Sequence, residues 1–262
     1  DRWMMSRLMS AVESTTIALD KLRVREAINT ILYHLDNDIA WYNRRLGVRK
    51  GKLDSRDRIL RRVLETRARM LAPLAPHTAE EIWTRLANKG FVVQTDWPQK
   101  DETQRDDMAE RSEAMIRQVL EDTGEVLKAT GITPRRIAYY TAAVWKWKIY
   151  LKALKAADEK KNQGDLIKEV LEDPQIRSLG KTAADFAAKA IRHASQMPEE
   201  MRKLRLRNGT VEEKPVLVDA AGLYQREYKC PVEIWNEEDV GMDDPKGRAR
   251  MSEPYRPAIY LE

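Results

Sequence analysis

Apolar residues recur at three- and four-residue spacing through the first half of the chain. Met5, Leu8, Met9 and Val12 fall on one face, which predicts a helix from Asp1 to about Leu19. Val24, Ala27, Ile28, Ile31 and Leu35 repeat the pattern through a second helix that ends near Arg45, and Gly47 breaks it. After the polar run VRKGKLDS a third helix begins, with Asp54 or Ser55 as N-cap and Ile59, Leu60, Val63, Leu64 and Leu71 inside. Pro73 and Pro76 stop that helix and start a fourth, since proline is tolerated in a first turn. Glu80 and Glu81 are placed near its positive end. Ile82 and Leu86 share a face, and Lys89-Gly90 is the expected left-handed stop. Phe91-Val92-Val93 reads as an extended exit, and residues 101–107 as an acidic loop. A fifth helix carries Ser112, Met115, Ile116, Val119, Thr123 and Val126 on one face. Five amphipathic helices with short connections predict an antiparallel helical bundle.

The pattern changes at Gly131-Ile132-Thr133-Pro134, a breaker cluster that also suggests a hinge. Residues 136–141 are strand-prone. Helices are expected over Lys146 to about Glu159, Asp165 to Leu171 and Lys181 to Gln196, with another opening at Pro198. Val216-Leu217-Val218 and Val232 to Trp235 read as strands. The closing stretch, DPKGRARMSEPYRPAIYLE, has no helical period. The expected class is mainly α: an antiparallel helical bundle, residues 1–127, followed by a smaller α+β domain, residues 128–262.

At 262 residues the chain is long enough for two domains with sizeable cores. A formal charge of +5 permits a polyanionic partner without requiring one. The single cysteine, Cys230, excludes an internal disulfide and a multi-cysteine zinc site, which fits a reducing cytoplasmic setting. No apolar run approaches the roughly 20 residues of a membrane span. The chain opens at Asp1 inside a helical pattern and reads as a piece of a longer protein.

Catalytic signatures are lacking. There is neither a GxGxxG nor a GxxxxGK[ST] phosphate loop, nor a GxSxG elbow, and His34, His77 and His193 have no metal spacing. Paired acids such as Glu80-Glu81 are sequence neighbours, which diverge on a helix. Charge is more informative. Residues 41–69 hold eleven Lys or Arg against three acids, enough to neutralise several phosphates, although a solvated face with its own ion pairs has the same composition. A second basic segment, Lys146 to Lys161, holds six lysines beside Trp145 and Trp147. Aromatics among lysines can stack on bases, but tryptophans serve more often as core anchors.

The run LAPLAPHTAEEIW with a downstream WP resembles the helical anticodon-binding bundle of class I aminoacyl-tRNA synthetases, as in the valyl, isoleucyl and leucyl enzymes. DRW, SRL, LRVREA and NDIAWYNRR resemble the start of that bundle in archaeal-type leucyl-tRNA synthetases. TPRRIAYYTAAVWKWKIY and the closing PAIYLE resemble the C-terminal domain of the same family, so the likeness runs through essentially the whole chain in order. It implies a tRNA-docking part of a leucine-tRNA ligase. The ATP- and magnesium-dependent catalytic domain and the editing domain would lie elsewhere, leaving this part inactive alone and without a cofactor of its own. The implied partners are leucine tRNA and the remainder of the synthetase, with no membrane. In that family the bundle meets the tRNA body, and the C-terminal domain reaches the long variable arm. The matching positions for reading its tip are Ile259, Tyr260, Leu261 and Glu262. The candidate RNA-holding cations are Arg44, Arg45, Arg49, Lys50, Lys52, Lys146 and Lys148. A stand-alone tRNA-binding protein and a helical protein-interaction scaffold are the rival expectations.

Overall fold

A computed structural model describes residues 1–47, 55–159 and 163–262. It divides into two compact units, Asp1–Met115 and Ile116–Glu262. The class is as expected: mainly α, with a small α+β portion.

In the first unit α1 (Arg2–Asp20) is buried over much of its circumference, through Trp3, Met4, Met5, Leu8, Met9, Val12 and Ala18. It packs against α2 (Val24–Ile28), α3 (Leu35–Leu46) and α4 (Ser55–Leu71). Leu22, at φ 55°, closes α1: its N–H reaches Leu19 O, and Arg23 N–H reaches back to Ala18 O. The expected second helix is continuous from 24 to 46 but widens to a π-helix over Asn29–His34. Its buried positions Ala27, Ile31, Leu35, Asp38, Trp41 and Tyr42 keep one face inward. α5 (Pro76–Arg85) starts on Pro76 as predicted but stops short of the expected Lys89-Gly90. Ala87 takes the left-handed position at φ 56°, because Asn88 N–H closes onto Trp83 O one turn earlier. Glu80 does not serve the helix N-terminus; its carboxylate accepts Val92 N–H at 2.8 Å and folds the exit into a 3-10 turn, Val92–Gln94. The following loop returns to α1, where Trp97 Nε1 donates to Thr16 Oγ1 (2.9 Å) and Glu13 holds Lys100 and Arg105 (2.6 and 2.8 Å). The unit boundary falls within α6 (Asp107–Thr130).

The second unit is organised on β1 (Ile137–Thr141), every residue of which is buried. Helices α7 (Val144–Asp158), α8 (Gln163–Val170), α9 (Pro174–Ser178), α10 (Lys181–Gln196), α11 (Glu199–Asn208) and α12 (Glu213–Tyr228) follow it. The chain then returns as β2 (Val232–Asn236), parallel to β1 with Ile137 opposite Val232. β3 (Ala258–Leu261) lies antiparallel on the other edge, with Ile137 opposite Leu261. Val216-Leu217-Val218 is not a strand. It lies inside α12, where Leu217, Ala220, Leu223 and Tyr224 are buried at helical spacing and Val218 faces outward. Three β-prone residues are outweighed by the longer 3.6-residue period around them. Alanines at 153, 183, 187 and 190 let α7 and α10 approach closely around Ile149, Leu166, Val170 and Ile176. Tyr139, beneath the sheet, shares a 2.9 Å hydrogen bond with Thr123 of α6 and packs on the Tyr224 ring at 5.1 Å.

Candidate nucleic-acid interface

In the first unit the basic stretch is only partly available to a ligand. Arg45 is spent on Glu113 (3.2 Å), Arg67 on Asp36 (2.6 Å) and Arg61 on Glu65 (2.9 Å). Arg56 donates twice to Asn43 Oδ1 (2.7 and 3.1 Å) and once to Gly47 O (3.4 Å), tying the start of α4 to the end of α3. Arg44, Arg58 and Arg62 are exposed. Arg58 has no hydrogen-bond or ion-pair partner among the described residues. Arg58 and Arg62 stand one turn apart on α4, a spacing that aligns them along one face. Neither is among the residues expected from sequence, although their i, i+4 spacing marks a shared helix face. Arg49, Lys50 and Lys52 lie outside the described residues.

In the second unit Lys146 is withdrawn from the RNA-holding set. Its side chain is 3% exposed, and its ammonium donates to Arg250 O and Ser252 O (both 2.8 Å) and pairs with Glu237 (2.7 Å). A buried charge is kept only where such partners replace water. The two tryptophans are core anchors, the commoner of the two readings: Trp147 is buried, and Trp145 packs edge-on against Phe186 at 5.5 Å. Lys148, two residues on, is exposed and paired with Asp173 at 3.0 Å.

The closing strand separates its four candidates by the two-residue period of a strand. Tyr260 packs with Ala138, Tyr140 and Ala249, and Arg136 and Lys246 lie 5.9 and 5.7 Å from its ring centre. Ile259 and Leu261 line a cleft of about 660 Å³ whose rim carries Lys189, Lys246, Arg248 and Arg256. Asp122, Glu125 and Glu253 face the same space, and Glu253 pairs with Lys189. Apolar floor and cationic rim together suit an unstacked base with its phosphate. Glu262 is drawn instead to Arg136, which donates to it at 2.8 Å and also pairs with Asp243 at 2.5 Å. The rim cations of the closing stretch were visible in the sequence; Lys189, from α10, was not, because only the fold brings it there.

A second buried ionisable side chain lies beside this strand. Glu213, in the first turn of α12, accepts Tyr255 N–H (2.6 Å) and Ala142 N–H (3.1 Å). Burial pushes its carboxyl up to about 7, against the opposing pull of those two N–H groups. Burial likewise lowers His193 below the usual imidazole value. No cluster of three or more His, Cys, Asp or Glu able to hold a metal occurs among the described residues. No helix there is long and apolar enough to cross a membrane.

The sequence model of one family, the anticodon-binding domain of tRNA ligase, matches residues 1–139. The whole chain aligns with the leucine–tRNA ligase of Methanococcoides burtonii at 36% identity, covering 26% of that protein. The enzymes of Methanothrix thermoacetophila (35%, 26% covered) and Pyrococcus abyssi (31%, 25% covered) align equally completely. The chain thus spans about a quarter of the length of these curated relatives.

Proposed function

The chain belongs to the anticodon-binding domain family of tRNA ligases, and from that premise we propose that it is the tRNA-docking part of a leucyl-tRNA synthetase. The observation that carries this reading is the alignment of both units, over the whole chain, with archaeal leucine–tRNA ligases. In this reading the bundle through residue 127 meets the body of leucine tRNA, with Arg44, Arg58 and Arg62 as phosphate contacts. The domain from residue 128 meets the long variable arm, with Ile259 and Leu261 against bases and Lys148, Lys246, Arg248 and Arg256 against phosphates. Arg49, Lys50 and Lys52 join the bundle surface. Tyr260 and Glu262 hold the strand rather than touch RNA.

The remainder of the synthetase supplies the ATP- and magnesium-dependent ligation of leucine, in the cytoplasm. The contribution here is binding energy, used to hold the acceptor end where that chemistry occurs.

The test compares leucine tRNA with the same tRNA carrying a shortened variable arm, at two salt concentrations, for the intact chain and for a chain lacking residues 260–262. Shortening the arm and removing the residues should each weaken binding, with little further loss when combined. Equal binding by all combinations, differing only with salt, points to a nonspecific basic surface. An absence of RNA binding favours a protein-interaction scaffold, for which the internally paired arginines of α4 are the supporting observation.

A further inference from the structure

Two ionisable side chains buried in the second unit are out of reach of RNA, and both grip the same run of backbone. Lys146 rises from the first turn of α7 and uses its three N–H donors on Arg250 O, Ser252 O and the Glu237 carboxylate. The rings of Trp145 and Phe186 close over it at 5.5 and 5.7 Å. Glu213 rises from α12 and holds Tyr255 N–H with one oxygen and Ala142 N–H with the other. It has no cationic partner among the described residues. Their targets bracket residues 250–255, immediately before β3.

That run makes a tight turn. Glu253 N–H donates to Arg256 O at 3.0 Å, and Arg256 N–H donates to Glu253 O at 2.8 Å. Tyr255 sits at φ +66°, a left-handed conformation that costs a non-glycine residue about 1 kcal/mol or more. Something must hold it there. Glu213 fixes its N–H, while the ring is packed by Trp147 at 5.0 Å and capped by the Arg205 guanidinium at 4.6 Å. Glu253, Arg256 and Pro257 of the same run line the cleft, and Ile259 and Leu261 follow directly.

We propose that Lys146 and Glu213 are positioning residues: they clamp the backbone of residues 250–255 and so set where β3 presents Ile259, Leu261 and Arg256 to the variable arm. The clamp acts on main-chain groups, so it fixes the path of the segment whatever its side chains are. An apolar pair in the same places would fill the space but leave the Arg250 and Ser252 carbonyls and the Tyr255 N–H without partners. The inference rests on the tRNA-docking reading for its purpose and on the hydrogen bonds for its mechanism, and the two are tested separately.

Amide hydrogen exchange is followed across the full chain for wild type, Lys146→Met, Glu213→Gln, Glu213→Leu and the exposed control Lys155→Met. The same proteins are measured for the affinity ratio between long-arm and shortened-arm tRNA. Lys146→Met and Glu213→Leu should speed exchange over 253–261 by about tenfold or more, with α10 amides unchanged. With exchange read at pH 5, where the Glu213 carboxyl keeps its proton, Glu213→Gln, which retains one carbonyl acceptor, should fall between, and Lys155→Met should match wild type. The affinity ratio should fall toward one in step with the local exchange. Exchange rising equally over α10 and β3, or an arm ratio that survives a loosened β3, overturns the clamp. If Lys146→Met does not fold, the graded Glu213 pair decides the matter alone. A wild-type ratio of one refutes the docking reading, while the exchange pattern still judges the clamp.

Discussion

Replacing Glu213 with glutamine should remove most of one pH dependence. In the folded chain burial holds this carboxyl at about 7, against 4.5 for an ordinary glutamate. Between those values the folded protein keeps a proton that the unfolded chain has released. Folding is therefore favoured most fully below about pH 4.5, and the advantage drains away as pH rises through 7. At about 1.4 kcal/mol per pH unit, the gap is worth on the order of 3 kcal/mol. Glutamine keeps the shape and one acceptor for Tyr255 or Ala142 N–H, and it does not titrate. Urea unfolding followed by far-ultraviolet circular dichroism, at pH 5 and pH 8, supplies the difference between variant and wild type at each pH. The lost acceptor should leave the variant about 1 kcal/mol less stable than wild type at pH 5, and titration of the wild-type carboxyl should shift that difference by roughly 2–3 kcal/mol in the variant's favour by pH 8. Parallel profiles for the two proteins would refute the reasoning. They would mean that the two N–H groups stabilise the carboxylate enough to cancel the cost of burying it.

Lys146→Met should destabilise the chain by roughly 3 kcal/mol or more, because it strands two carbonyls and leaves the Glu237 carboxylate with the Ser252 hydroxyl but no cation; adding Glu237→Gln should recover part of the loss in urea unfolding. Tyr139→Phe removes the hydroxyl beside Thr123, which still donates to Val119 O at 2.6 Å, so the unfolding free energy should fall by only about 1 kcal/mol. Arg58→Glu with Arg62→Glu should lower the slope of log affinity against log salt by about 1 to 2 for any tRNA, leaving the long-arm preference intact; an unchanged slope would remove α4 from the RNA surface.

The helical skeleton was legible because its signal is local. α10 has the predicted limits, Lys181 to Gln196, since its apolar spacing and the Gly180 and Pro198 that flank it all agree. β1 and β2 were legible as separate strands, but not their parallel pairing, which joins residues almost a hundred positions apart. β3 hid in a stretch read only as lacking helical period. α12 was misread at 216–218 because a three-residue window outvoted the longer period around it. The bundle's basic character was visible, but which arginines are spent on Asp36, Glu65 and Glu113 depends on neighbours that sequence spacing does not reveal. Lys146 shows the limit most plainly: a lysine between two tryptophans looks like an RNA contact until the fold brings Glu237 and the carbonyls of 250 and 252 around it.

The central place of β1 has a consequence for the order in which the protein can be made. β1 is flanked by strands that arrive from the ribosome about 95 and 120 residues later. At about 5–20 residues per second, its second edge stays open for roughly 6 to 24 s after it is synthesised. During that interval Ile137, Tyr139 and Tyr140, fully buried in the finished protein, have no sheet to enter. The second unit thus cannot close until β3 has emerged, and the nascent β1 strand is an aggregation hazard that chaperones would be expected to shield.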